Sequence, residues 1–501
     1  MAAPYLPPGP YAPPGPYAPP GSYGAPGPYP GPYGAPGPYP GPYGAPGPYP
    51  AYPAGLPPYP YLPPPPPRRR RWPVWLTLGL VAVLVLCVAP AAFVVSRLPL
   101  APGDRASGNQ ADAGARGLAS PGPNAPLRER LPWVRQQIST ALQSQTSALL
   151  KGDQRGFLAV ADPKARKLAG DLVQRFGSLR ALKVAQYNQR IVSGPTRTTG
   201  AGGRAEWKVR IQLMHCFVVA NCAPDPVLID SQWAETSTGV RMVTLGVTPR
   251  DDNGPRPWEV SSLKVAVGAR TLVATTSGYA SRLPSMLKEA EKAAANADLF
   301  VLSGKKPDRY RVFLAGPTEW KKWYGGELPK WSVGFATAVS DDRMEVVLNV
   351  NEIESDFLDE VLRHELGHVA TLSSHSYQHE GNFWLIEGIA EYIQENGRPV
   401  DRYDGRFVVR RYLREGKWNG SVDVPPPSPS TPDWQVGARY GISYYAVRRM
   451  SERFGRQKML RFFTEVIHSG TALTAAAPQA YGVSWANVNA DCARYVRGRV
   501  G

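Results

Sequence analysis

Cysteine is scarce in this chain of 501 residues, which contains only Cys87, Cys216, Cys222 and Cys492. None of the four forms a CxxC pair, and this argues against a metal site built from thiolates. Cys216 and Cys222 lie six residues apart, so they can close a small disulfide loop in an oxidising compartment or remain two free thiols. The sequence leaves both alternatives open.

Charge is absent from the first 67 residues, which consist almost wholly of Pro, Gly, Tyr and Ala. Such a segment cannot bury enough apolar surface to offset the entropy lost on ordering, so residues 1–71 are predicted to be a disordered tail. The decapeptide GPYGAPGPYP occurs at residues 31–40 and again at residues 41–50. These repeats can act as a solvated spacer or bind an aromatic groove of a cytoplasmic partner.

Acidic residues are fewer than basic ones, 40 against 57, and the formal net charge is +17. A basic surplus is typical of nucleic-acid-binding proteins, but the sequence has no basic motif interleaved with aromatic residues and no zinc-knuckle spacing. Nucleic acid is therefore not expected as a partner. An anionic membrane or cell-wall surface suits this charge better.

A hydrophobic run without charge extends from Val74 to Val95 over 22 residues, long enough to cross a bilayer. We predict a transmembrane helix at residues 72–97. Arg68 to Arg71 precede the run and only Arg97 follows it directly, which places the N-terminus in the cytoplasm and the rest outside a cell membrane that is crossed once. A cleaved signal peptide is the alternative, but the preceding region is too long for one.

Residues 127–300 follow an Ala/Gly/Pro-rich linker at residues 98–126 and are predicted to form an α+β domain. Apolar residues recur at helical spacing up to Leu150, Gly152-Asp153 ends that helix, and a second helix follows near residues 164–176. Segments with strand-like content come next, at residues 207–214, 227–233, 240–248 and 260–267. This order of elements resembles the nuclear-transport-factor-2-like superfamily, whose members serve as ligand cups, enzymes or spacers.

The segment SDFLDEVLRHELGHVATL at residues 355–372 is predicted to be a largely buried amphipathic helix, because its apolar residues recur three to four positions apart. His364 and His368 are one turn apart, so their imidazoles share one face and can bind a single metal ion, with Glu365 beside them. A catalytic zinc normally has three protein ligands, so the prediction requires another donor.

The segment WLIEGIAEY at residues 384–392 is predicted to be a second helix that supplies this donor. Glu387 and Glu391 are one turn apart on it. Glu387 would bind the metal, whereas Glu391 would accept the outer N–H of a ligand histidine and fix the orientation of its ring.

These two helices, with 18 residues between His368 and Glu387, resemble the gluzincin metallopeptidases over about residues 305–495, as a bacterial membrane-anchored type. The resemblance implies a thermolysin-like, mostly helical domain with a small sheet at residues 301–501. It also implies one Zn²⁺ per chain bound by His364, His368 and Glu387, with Glu365 as the general base that activates the zinc-bound water. Metzincins are excluded, because Ser374 stands where their third histidine would fall.

Tyrosines in the segment RYGISYYAVRRM are candidates for the donor that stabilises the oxyanion, because the gluzincin family uses a Tyr or His beyond the second helix. The candidates are Tyr440 and Tyr444, and aromatic core packing is an equally good explanation for each.

A strand at Met344 to Val350 is predicted to pair with extended substrate backbone. M1-type aminopeptidases carry a GxMEN motif before HExxH to hold the amino terminus of the substrate. The nearest segment here, Asp342 to Val346, lacks its Gly and Asn. We therefore expect substrate binding of the endopeptidase kind.

The other histidines are assigned structural roles. His215 is expected to be a satisfied strand residue and His468 to cap a helix end. His375 and His379 are also one turn apart, but their polar context predicts a loop near the cleft instead of a second metal site.

The function predicted from these patterns is zinc-dependent hydrolysis of peptide bonds in extracytoplasmic proteins or peptides. The alternative from another class is a catalytically silent, metallopeptidase-like scaffold or sensor at the cell surface, with a Pro-rich tail that binds a partner.

Overall fold

The computed structural model describes residues 118–501, apart from residues 123–124, 201–202, 303, 327–331, 342, 374–375 and 377–379. The predicted tail at residues 1–71 and the predicted membrane helix at residues 72–97 lie outside the described residues. Within the described part, no helix is both long and apolar enough to span a bilayer. This part consists of helices and two β-sheets, so the predicted α+β class is confirmed.

The first sheet is a four-stranded antiparallel meander, and three helices precede it in the chain. α1 ends at the predicted position, because Gly152 adopts a left-handed φ of 78° and its N–H donates to the preceding turn. The predicted second helix is also present, as α3. The elements are α1 (Leu127–Lys151), α2 (Gln154–Leu158), α3 (Arg166–Ala181), β1 (Val184–Thr199), β2 (Ala205–Phe217), β3 (Asp225–Thr236) and β4 (Gly239–Leu245).

The core of this part lies between the helices and one face of the sheet. Burial alternates along β2 and β3, so Trp207 faces Trp233 and Ile211 faces Ile229 across the strands, all four buried. The sequence does not predict β1. Its second half is polar and its pairing with β2 shifts register three times, which obscures the two-residue period. The resemblance to the nuclear-transport-factor-2-like superfamily stays a prediction.

A disulfide joins Cys216 at the end of β2 to Cys222 in the loop before β3. The structure therefore decides between the two alternatives that the sequence leaves open. Cys492 is a free, buried thiol.

The second sheet has five strands in the order β5-β6-β7-β9-β8. β6, β7 and β9 are parallel, and β5 and β8 pair antiparallel at the two edges. The elements are α4 (Pro257–Val260), β5 (Leu263–Val267), β6 (Thr271–Thr276), α5 (Leu283–Ala297), β7 (Tyr310–Ala315), α6 (Pro317–Trp320), β8 (Gly334–Ser340) and β9 (Arg343–Asn349).

This sheet contains strands from both sides of residue 300, where the sequence analysis divides two domains. The segment at residues 260–267, predicted as the last strand of the first domain, pairs with β6 instead of β4. The four-stranded sheet itself ends at Leu245.

The C-terminal part is helical. Every residue of α8 except Tyr392 is buried, because α8 packs between α7 and α10. A Cβ atom at Gly388 would lie 2.6 Å from the Ser443 carbonyl oxygen, so glycine allows this close approach of α8 and α10. The helices are α7 (Leu358–Thr371), α8 (Phe383–Gln394), α9 (Arg406–Arg414), α10 (Asp433–Phe454), α11 (Arg456–Phe463), α12 (Leu473–Tyr481) and α13 (Trp485–Val500).

Charged side chains connect the two sheets in a group that we call the inter-sheet cluster, formed by Asp225, Asp308, Arg311, Arg343 and Glu345. Asp225 accepts from Arg311 Nη1 at 2.6 Å and from Arg343 Nε at 2.7 Å. Arg311 also donates to Glu345 at 3.0 Å, and Arg343 donates to Asp308. Asp225 begins β3 and the two arginines belong to β7 and β9, so the cluster joins the first sheet to the second.

Candidate metal centre

α7 carries three polar side chains in a buried position. His364, Glu365 and His368 expose only 1%, 0% and 2% of their surface. Charged side chains are almost never buried to this extent without partners. The same helix buries Val361, Leu362 and Leu366, so its amphipathic pattern places the histidines toward the interior, as predicted.

Glu387 on α8 meets both histidines. The Nε2 atoms of His364 and His368 are 3.2 Å apart, and Glu387 Oε2 lies 3.3 Å from the first and 3.6 Å from the second. Zinc bound tetrahedrally at about 2.0–2.1 Å from each ligand requires donor atoms about 3.3 Å apart. The three side chains that the sequence names as ligands therefore fit one zinc ion.

The carboxylates of this centre have few partners within the chain. Among the described residues, no hydrogen-bond donor reaches either oxygen of Glu365 or of Glu387, although all four atoms are buried. Glu387 contacts the imidazoles of His364 and His368 but no arginine or lysine among the described residues. Because a buried carboxylate without a donor is costly, a bound cation is the partner that this donor set fits.

Glu391 lies behind the ring of His364, next to its second nitrogen. Its Oε1 atom lies 3.4 Å from His364 Nδ1, and its Oε2 atom accepts a hydrogen bond of 2.8 Å from the Tyr403 hydroxyl. Glu391 therefore lies where the sequence predicts, next to the outer nitrogen of a ligand histidine. Tyr403 is not predictable from the sequence, because it lies in a short polar connection before α9 and no local pattern marks it.

Burial and the close contact of acids with imidazoles set the charges in this centre. Burial lowers the pKa of His364, but Glu387 and Glu391 outweigh this effect and raise the pKa to about 10. Burial raises the pKa of Glu365 well above its usual range, and it lowers the pKa of His368. A divalent cation would replace the protons held here, because metal binding to such donors releases protons.

The two candidate tyrosines of α10 occupy different positions. The ring of Tyr440 lies 6.1 Å from that of His364 and 5.5 Å from that of Phe383. Tyr444 stacks on Tyr403 at 4.3 Å instead, with its hydroxyl buried among aromatic rings. The structure therefore brings Tyr440 to the ligands, whereas the ring contacts of Tyr444 belong to the aromatic core.

The strand predicted to pair with substrate is not at an edge. β9, which contains Met344, lies between β7 and β8 and pairs with both, so its backbone groups are already used. The edge strand is β8. A Cβ atom at Gly334, the first residue of β8, would lie 3.4 Å from Glu365 Oε1. The open edge beside the metal centre therefore belongs to β8.

The remaining histidines lie away from the three ligands or outside the described residues. His468 Nε2 bonds to the carbonyl oxygen of Thr371 at 2.8 Å, so it caps the C-terminal end of α7. His215 is buried in β2 against Trp258, and its Nε2 is 3.9 Å from Asp225. His375 and His379 lie outside the described residues. Among described residues, only His364, His368 and Glu387 form a cluster of potential metal ligands.

No protein-family model matches the chain, and no curated protein matches it either. Solved structures that match the chain include an M1 zinc metallopeptidase from Deinococcus radiodurans, 14% identical, with 63% of this chain and 61% of that chain covered at a TM-score of 0.29. Native yeast LTA4 hydrolase is 14% identical, with 54% and 46% covered at a TM-score of 0.27. The chain thus spans less than two thirds of these proteins, and the metal centre is assigned from its own geometry.

Proposed function

We propose that this chain is a zinc-dependent peptidase that hydrolyses peptide bonds in proteins or peptides outside the cytoplasm. The observation that carries the proposal is the position of three ligand atoms at tetrahedral zinc spacing beside the unpartnered carboxylate of Glu365 and the open edge of β8. Zinc, when bound, polarises a scissile carbonyl and lowers the pKa of a coordinated water to about 7.

The side chains around the ion would perform the remaining steps. Glu365 takes the proton of the attacking water and later passes it to the leaving amine. Glu391 and Tyr403 keep the ring of His364 in one orientation. Tyr440 is the nearer of the two tyrosine candidates for a donor to the oxyanion.

β8 would align the substrate by its backbone. Among the described residues no strand pairs with the outer edge of β8, and an extended peptide can add to such an edge by main-chain hydrogen bonds. Gly334 places this edge next to Glu365, so a peptide bound there would present a carbonyl close to the general base.

Glu365→Gln tests the chemical step in the purified full-length chain. We expect cleavage of a mixed peptide library to fall by roughly 10²–10⁴-fold while zinc stays at one ion per chain, because the variant loses only the general base. Glu352→Gln is the matched control, because this glutamate is exposed in the loop before α7. Zinc binding without cleavage by the wild type would favour the silent scaffold.

His364→Ala tests the metal centre itself. The variant is expected to keep its fold, as judged by circular dichroism, and to lose the bound zinc measured by elemental analysis. A folded His364→Ala variant with one zinc per chain would contradict the ligand assignment.

We further propose that residues 72–97 anchor the chain in the cell membrane, with the N-terminus in the cytoplasm and the metal centre outside. The Cys216–Cys222 disulfide supports this orientation, because disulfides persist in oxidising compartments. A protease added to intact cells should then degrade the part from residue 98 onward. Protection of this part until the cells are lysed would contradict the orientation.

A further inference from the structure

The outer edge of β8 is open along only part of its length. Asn349 N–H donates to the carbonyl oxygen of Val333 at 2.7 Å, so the odd-numbered residues of β8 direct their backbone groups toward β9. Backbone groups alternate in an antiparallel pair, and Gly334, Ala336 and Ala338 therefore face the outer edge.

Two side chains from the region between the sheets occupy the far end of this edge. Asn253 Nδ2 donates to the carbonyl oxygen of Ala338 at 3.0 Å, and Arg256 Nη2 donates to that of Val339 at 3.2 Å. The Ala338 carbonyl is a group that an added strand would need, whereas Val339 lies at the irregularity between Ala338 and Ser340 that ends the regular pairing with β9. Among the described residues no such contact reaches Ala336, so the part of the edge left free ends between Ala336 and Ala338.

We call Asn253 and Arg256 the cap of this edge, and packing contacts hold it in place. Arg256 is 5% exposed, its backbone N–H donates to Glu259 at 2.7 Å, and its guanidinium lies over the ring of Tyr324. Asp225 of the inter-sheet cluster accepts from Ser340 Oγ at 3.2 Å, which ties the end of β8 to the first sheet. The cap is therefore part of the packed structure and not a loose loop.

We infer that Asn253 and Arg256 restrict how many substrate residues can lie on the N-terminal side of the scissile bond, an inference that rests on the proposed peptidase function. β8 runs from Gly334 beside Glu365 toward the cap, and a peptide added antiparallel runs in the opposite direction. Its N-terminal residues then point at the cap. Four positions of β8 at about 3.3 Å each leave room for about four extended residues.

The cleavage position in peptides tests this inference. The purified full-length chain is incubated with a peptide library of mixed sequence and length, and mass spectrometry gives the distance of each cut from the peptide N-terminus. We expect cuts by the wild type to lie within about four residues of that end. Asn253→Gly should increase cuts farther inside by about fivefold, because the Ala338 carbonyl becomes available for pairing.

Asn253→Gly is the suitable variant because Asn253 has a left-handed φ of 53°, which glycine adopts without strain. Arg241→Ala is the matched control, because Arg241 also donates to a backbone carbonyl, that of Ala159 in the first part of the fold. A merely structural effect of Asn253 would change the total amount of cleavage and leave the distribution of cut positions unchanged.

Two outcomes would overturn the inference: wild-type cuts at all distances from the N-terminus, or an Asn253→Gly distribution equal to that of Arg241→Ala. If no variant cleaves any peptide, the proposed function fails and binding decides the inference separately. Zinc-loaded Glu365→Gln should then bind a tetrapeptide pool that ends in a C-terminal hydroxamate, which anchors the last residue at the metal, and bind a decapeptide hydroxamate pool more weakly unless Asn253→Gly is also present. Equal binding of both pools would overturn it.

Discussion

Two groups of buried charges differ in how their acids are neutralised. In the inter-sheet cluster, each carboxylate has an arginine within hydrogen-bond distance: Arg311 for Glu345, Arg343 for Asp308, and both for Asp225. In the metal centre, Glu365 and Glu387 are fully buried and have no arginine or lysine partner among the described residues.

The way in which the acids are neutralised distinguishes the inter-sheet cluster, whose charges stabilise the fold, from the metal centre, whose charges are suited to bind a cation. Buried charges are tolerated when they are paired, and removal of one partner leaves the other charge uncompensated. The inter-sheet cluster meets this requirement within the chain. The metal centre has no arginine or lysine that meets it, and its acids are neutralised by protons or by a cation from solution. We therefore expect opposite responses of stability to substitution in the two groups.

The largest effect is expected from Arg311→Met. The substitution keeps an unbranched side chain but leaves Asp225 and Glu345 without their shared partner, so the free energy of unfolding in urea should fall by about 3–5 kcal/mol. Arg210→Met is the control, because Arg210 pairs with Asp230 on the surface, where the two side chains are 44% and 74% exposed. The control should change stability by less than about 1 kcal/mol. Equal losses of unfolding free energy in both variants would show that the buried pairs of the inter-sheet cluster contribute no more than a surface pair.

The next effect is a pH dependence at His215. Burial lowers the pKa of His215 to about 4, and the nearby Asp225 offsets only part of this shift. The unfolded chain takes up a proton at His215 below about pH 6.5, whereas the folded chain does so only near pH 4, so stability falls as the pH drops through this window. The total loss from this group is about 3 kcal/mol at pH 4.

The His215→Gln variant should lack the part of the stability loss at low pH that comes from protonation of His215. Unfolding free energies measured between pH 4 and pH 6.5 should therefore decline less steeply in the variant than in the wild type. Parallel curves for the two proteins would show that His215 does not titrate differently in the folded and unfolded states.

The smallest effect is expected from Glu365→Gln, and its sign is opposite. Burial raises the pKa of Glu365, so the metal-free chain must fold at neutral pH with an unfavourable buried acid. The neutral amide removes this cost, and the free energy of unfolding in the presence of a chelator should rise by about 1–2 kcal/mol. The exposed control Glu352→Gln should show no change. A lower free energy of unfolding in Glu365→Gln would mean that the buried Glu365 does not destabilise the metal-free chain.

Much of the fold follows from local patterns. The end of α1 at Gly152 and the burial of α7 and α8 agree with apolar spacing and helix-end residues. β1 is not predicted from such patterns, because bulges and polar residues interrupt the two-residue alternation of its side chains. The sequence does not predict that β5 belongs to the second sheet either, because the pattern of a strand does not show which other strand it pairs with.

The candidate site divides in the same way. His364, His368 and Glu387 are predictable because each lies on a helix whose spacing sets the face of its side chains. Tyr403 is not predictable, because its contact with Glu391 depends on the path of a loop between two helices. The strand that contains Met344 is predicted correctly, but its place at the edge is wrong, since strand order decides which edge is open.

The sequence alone thus predicted which side chains share one face of a helix, His364 with His368 and Glu387 with Glu391, because the geometry of a single helix turn is the same in every fold. The tertiary structure alone decided which strand lies at the edge beside Glu365, that Cys216 and Cys222 are bonded, and which side chains meet the end of β8. Asn253 and Ala338 are 85 residues apart, and contacts over such distances arise only when two sheets pack together. Local spacing contains no information about which distant segments will meet.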